Sequence, residues 1–169
     1  VVTSGNIPLL IAGAGSGAVC NIYCGNGQQG LIDTFGGDSY SNYQINNSGG
    51  VNGNGGNSNY EEGGAGGGFY SNGDEFSYGS TEGIAFLNGG YGGSDGCGYG
   101  GYGGFGGGGG GEWCMWGSPG AGGGYSGGGA ASGGNAGGGG SFISEEATLI
   151  SSESGVNEGH GMVVITMIP

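Results

Sequence analysis

No lysine and no arginine occur in this chain, and its 13 aspartates and glutamates give it a formal charge of −13. Nucleic-acid binding by counterion release needs cationic side chains, as does attraction to an anionic lipid surface, so the composition speaks against both. A phosphate-binding loop needs a lysine after its glycines, whereas the glycine run 106–111 is followed by Glu112 and Trp113. Proline is also scarce, at 3 residues against 55 glycines. The glycine share is that of collagen, but a triple helix needs glycine at every third position and abundant proline, and this chain has neither. The one histidine, His160, has no nucleophile or orienting carboxylate that the sequence places around it. It reads as a structural residue bonding to a turn, and neither an enzyme nor a cofactor is expected. Long apolar runs are missing as well: the stretch from Met162 to Ile168 is far too short to cross a bilayer, so no membrane insertion is expected. Nor is there an apolar pattern with a period of 3.6 residues, which leaves almost no α-helix.

What remains is mostly glycine, in blocks at 12–18, 49–56, 63–68, 89–111 and 117–140. Glycine-rich chain is ordinarily a flexible tether, because glycine loses the most conformational freedom on folding. Here, however, the glycines are interrupted by Phe105, Trp113, Cys114, Met115, Trp116, Tyr125 and Phe142, where a linker would carry serine, proline and charge. The hydrophobic share, 34%, limits a side-chain core to part of the molecule. Short strands are expected at Ile7-Pro8-Leu9-Leu10-Ile11-Ala12 and at 161–167, with lesser candidates at 30–33, 83–87, 141–143 and 147–150. The blocks between them suit another kind of order. A left-handed extended helix with three residues per turn has no internal hydrogen bonds, so its amides must pair with neighbouring chains, which approach closely enough only where there is no Cβ. The expected fold is therefore mostly irregular and β: a single glycine-rich domain over 1–169, in which polyglycine II helices are hydrogen bonded side by side on a small β-strand framework, with aromatic residues as a lid.

The four cysteines, Cys20, Cys24, Cys97 and Cys114, are an even number in a chain with a small core, which reads as disulfides in an oxidising compartment. Three pairings are possible, and local pairing, Cys97 with Cys114 and Cys20 with Cys24, is preferred. Zinc is disfavoured by the single histidine and by spacings that match no common finger. The sequon Asn46-Asn47-Ser48 makes Asn46 a glycosylation candidate in a polar loop. Both features point to an extracellular, secreted or cell-surface location.

The order of motifs along nearly the whole chain resembles the glycine-rich domain in the extracellular part of anaplastic lymphoma kinase and leukocyte tyrosine kinase. The resemblance is carried by Ile7-Pro8-Leu9-Leu10-Ile11-Ala12 leading into a glycine block, by Asn46-Asn47-Ser48 followed by Asn52-Gly53-Asn54-Gly55, and by 63–68 followed by an aromatic. It continues with Glu82-Gly83, the stretch GGFGGGGGG from Gly103, Gly133-Gly134-Asn135-Ala136, Ser141-Phe142-Ile143-Ser144 and Glu158-Gly159-His160-Gly161. The resemblance implies a polyglycine II bundle on a β framework, a pair formed by Cys97 and Cys114, and a role in recognising a protein ligand. Two departures stand out. The receptor domains carry lysine and arginine, so their ligand is not carried over, and their pattern begins upstream of the position matching Val1, so the chain is expected to lack the start of the domain.

Two further clusters have a chemical and a plain reading. Glu61-Glu62 and Glu145-Glu146 lack the spacing of calcium loops, and solvated charge is the better reading. Trp113, Met115 and Trp116 form either a recognition interface or a cap on the glycine bundle beside a disulfide, and the sequence does not choose. The leading functional expectation is a non-enzymatic extracellular structural protein, an acidic glycine-rich subunit that self-assembles into a fibre, coat or adhesive surface layer. The alternative is a ligand-binding module of a receptor or adhesin. An antifreeze protein comes last, because a flat ice face needs a regular repeat and these blocks are irregular.

Overall fold

The structure, a computed structural model, describes residues 1–18, 26–41, 44–45, 47–59, 63–75, 80–96, 98–113, 117–149, 151–156, 164 and 166. Regular structure among them is sparse. Strand β1 (Leu10–Ile11) pairs antiparallel with a strand late in the chain, Phe142–Ile143, with Leu10 opposite Ile143 and Ile11 opposite Phe142. Between them in sequence, β2 (Tyr40–Ser41) and β3 (Gln44–Ile45) form a second antiparallel pair, which makes the late strand β4. The described residues contain no α-helix, only a 3-10 turn at Phe86–Asn88.

The strand expected over 7–12 is cut to β1. Pro8 has no N–H to donate, and the N–H groups of Leu9 and Leu10 both turn to the carbonyl of Val1, at 3.0 and 3.2 Å. The expected strand at 83–87 is replaced by the 3-10 turn, where Asn72 Oδ1 accepts from the Ala85 N–H at 2.9 Å and from Asn88 Nδ2 at 2.9 Å. Gly89 ends that turn at φ 114, a conformation side chains avoid, and donates to the Phe86 carbonyl. Segment 30–33 is no strand either, since the Leu31 N–H joins the glycine blocks by donating to Gly139 at 2.8 Å. Residues 147–149 form no strand, while most of 161–167, together with Cys20, Cys24, Cys97 and Cys114, lies outside the described residues. The β2–β3 pair was not legible, because neither strand carries an apolar alternation.

The glycine blocks run between these strands as non-helical segments tied sideways by backbone hydrogen bonds, and the ties recur every three residues. Gly64 donates to Gly110 and Gly67 to Gly107, at 2.7 Å each, so these two segments run antiparallel. The carbonyls of the same two residues accept from Ala121 and Gly124, at 3.0 and 3.3 Å, in a parallel register. Gly63 and Gly66 donate to Ala131 and Gly128, Ala14 and Gly17 to Gly123 and Gly120, and Gly127 and Ala130 to Asn54 and Asn57. A β-strand alternates between two neighbours. Here the successive amides of Gly127, Gly128 and Gly129 go to three different segments, at Asn54, Gly122 and Gly37.

Close approach is what makes glycine obligatory. A methyl group on Gly127 would overlap the carbonyl oxygen of Gly66, one on Gly109 that of Gly64, and one on Gly137 that of Gly37. Where a neighbour leaves room the chain carries alanine, and Ala65, Ala85, Ala121, Ala130, Ala131 and Ala136 are all buried. Serines pin segments together: Ser126 Oγ donates to Thr34 at 2.6 Å and accepts from Gly53 at 3.1 Å, and Ser141 Oγ does the same between Leu31 and Gly13. A net hydrogen bond contributes about 1 kcal/mol against an ordering cost of about 1–2 kcal/mol per residue, so such a core holds only if nearly every inner amide is paired.

Candidate functional site

Five rings from four parts of the chain form a row. Phe69, at 0% exposure, stacks on Phe86 with centroids 5.3 Å apart and meets Tyr70 edge-on at 4.9 Å. Tyr70 approaches Tyr125 at 6.4 Å, and Tyr125 stacks on Phe142 of β4 at 4.5 Å. This row ties β4 to the loop at 69–70. Burial, with a smaller contribution from the Tyr70 phenol nearby, pushes the Tyr125 hydroxyl above its usual value of 10.0. A phenol whose folded-state pKa is raised stabilises the fold below its unfolded value and ceases to do so as pH climbs through the folded value. Urea stability is therefore expected to fall above about pH 10, and Tyr125→Phe to flatten that part of the profile; an unchanged slope would contradict the burial of this phenol.

Segment 98–113 forms a second surface. It runs outward to a turn at 105–107, where Gly106 and Gly107 sit at φ 96 and 85, and returns along 108–111. Gly111 donates to Gly101 at 2.7 Å and Gly108 to Gly104 at 3.1 Å, again three residues apart. Methyl groups on Gly100 and Gly103 would strike the carbonyls of Gly111 and Gly108, so both glycines face inward. Tyr99, Tyr102 and Phe105 are the opposite case, at 84, 81 and 77% exposure. Of these rings only Phe105 was singled out in the sequence, although Tyr-Gly-Gly-Tyr-Gly-Gly-Phe announces all three once a three-residue turn is assumed.

Beside this segment lies an open groove of about 970 Å3. Val1, Leu10, Ile11, Tyr102 and Phe105 line it, together with the glycine-rich stretch 120–124. Trp113 also borders it and is half-exposed; its proposed companions Met115 and Trp116 lie outside the described residues. Asn46 and His160 are outside them too, while Asn47 of the sequon is buried, with its Nδ2 donating to Ala130 at 2.7 Å. Glu145 and Glu146 are exposed, and among the described residues no three His, Cys, Asp or Glu side chains gather where a metal could be held. No helix of the described residues is long and apolar enough to cross a membrane.

The chemistry such a surface offers is mainly stacking, apolar contact and backbone hydrogen bonding, with Glu112 and the Val1 ammonium as the charged groups on its lining. Compared with protein-family models, curated proteins and solved structures, the chain matches none.

Proposed function

We propose that this chain is a non-enzymatic extracellular structural protein, a rigid glycine-rich subunit that self-associates in a fibre, coat or adhesive layer. In this reading the glycine segments are polyglycine II helices bundled side by side over the small β framework. The observation that carries it is the recurrence of lateral hydrogen bonds every third residue, as at Gly64 and Gly67, together with glycines whose absent side chains leave room for a neighbouring carbonyl. A bundle held by backbone pairing can be extended by any chain that offers the same backbone, which is the property of a building block. Extracellular use is supported by the even cysteine count and the sequon at Asn46, and durability by the absence of lysine and arginine, which removes every trypsin site.

At micromolar concentration, light scattering is expected to report a mass that grows with concentration, and negative-stain images to show regular assemblies. A stable monomer would move the weight to a second reading, a ligand-binding module of a receptor or adhesin. The exposed rings of Tyr99, Tyr102, Phe105 and Trp113 favour that alternative, because aromatic residues are enriched where proteins meet.

A further inference from the structure

We infer that two copies of the chain pair antiparallel through the outer face of 98–105, with their aromatic rings interdigitated. The inference rests on the self-association proposed above and adds where it happens.

Its first support is unpaired backbone. Gly101, Tyr102 and Gly104 donate no hydrogen bond among the described residues, whereas the inner glycine segments donate at nearly every turn. The segment is thus the outermost member of a laterally bonded set, and these three residues are exposed, where a further chain can reach their free amides. Around Gly101 there is open space, with no atom within 4 Å of where a Cβ would stand.

Charge selects a second copy as the occupant. At −13, two copies repel wherever carboxylates face each other, yet 98–111 contains no acidic residue at all. Of the nearby carboxylates, Asp95 Oδ1 lies 2.8 Å from the Cβ position of Gly100, on the inward side, and Glu112 is buried. This face is where the chain can meet itself without bringing like charges together.

Ring spacing supplies the geometry. In an extended helix with three residues per turn and about 3.1 Å of rise per residue, rings at Tyr99, Tyr102 and Phe105 recur about every 9 Å. A ring entering such a gap sits about 4.5 Å from each neighbour, at the near end of the range for offset-stacked aromatic pairs. Tyr-Gly-Gly-Tyr-Gly-Gly-Phe reads nearly alike in both directions, so a copy related by a two-fold axis can offer the same row. Six rings supply on the order of 1,000 Å2 of buried surface, and the glycine backbone between them brings the contact toward the roughly 1,200 Å2 where specific interfaces begin.

The test is sedimentation equilibrium on the full chain and on Gly101→Val, with glycine amide exchange as the check on folding. The Cβ of valine at 101 has open space within one copy, while the side chain stands between two. We expect protection at Gly64 and Gly67 to be retained and association to weaken at least about tenfold. Tyr102→Asp, an exposed change that places like charges in the shared face, is expected to do the same, and serves if the valine variant fails to fold. Wild-type association that both variants leave unchanged would overturn this surface while keeping self-association. A wild-type chain that stays monomeric would overturn both.

Discussion

Replacing Gly127 by alanine is expected to destabilise the protein by more than about 3 kcal/mol, although it adds a single methyl group. That methyl would overlap the Gly66 carbonyl and stand 2.9 Å from the Gly56 nitrogen, and both obstacles are backbone with no rotamer to yield. To make room, the segment must move off its neighbours, which loosens the bonds from Gly127 to Asn54 and from Gly50 to Gly127, at 2.9 and 2.8 Å. Gly101→Ala is the matched control. It brings the same gain from a less flexible unfolded chain but meets open space, so it should lie within about 1 kcal/mol of wild type. Urea midpoints of the two variants decide the matter, and equal midpoints would mean that the glycine segments are not closely packed.

Phe69→Ala is expected to cost about 3–5 kcal/mol, a large part of the roughly 5–15 kcal/mol that holds a domain of ordinary stability. Phe69 is the largest fully buried side chain among the described residues. The glycines and alanines around it offer few side-chain atoms to close a cavity. Its ring joins Phe86 to Tyr70, and its N–H donates to the Tyr125 carbonyl at 2.8 Å, so its loss also slackens the row of rings. Phe105→Ala should change stability by less than about 0.5 kcal/mol, because that ring is already exposed. Thermal unfolding followed by near-ultraviolet circular dichroism separates the two, and a Phe69→Ala variant melting at the wild-type temperature would refute the placement of this ring.

Phe69 and Phe105 also mark where sequence reasoning stops. Both follow glycines, in GGGF and GGF, and nothing local distinguishes them. One is buried because the turn at Phe86–Asn88 and the ring of Tyr70 close over it, and the other is exposed because its segment lies on the outside. The same holds for strand length: 7–12 is apolar throughout, yet the ladder with β4 is confined to Leu10–Ile11, while Pro8 bridges to Val2 and Val1 takes the amides of Leu9 and Leu10. The row that Tyr99 and Tyr102 form with Phe105 was hidden in another way, since a spacing of three is neither the helical nor the strand period that pattern reading looks for.

By itself the sequence determined the material of this protein. Without helical periodicity there is no α-helix among the described residues, and with 55 glycines the chain can approach itself at backbone distance. Only the tertiary structure decided which segments meet. Gly64 and Gly67 pair antiparallel with 107–110 and parallel with 121–124, and no local pattern distinguishes those partners, because a glycine carries no side chain by which a register is recognised. In an ordinary protein the apolar pattern selects the neighbour. Here selection falls to the few residues that are not glycine: the alanines that fit, the serines that pin and the aromatic rings that pack on one another.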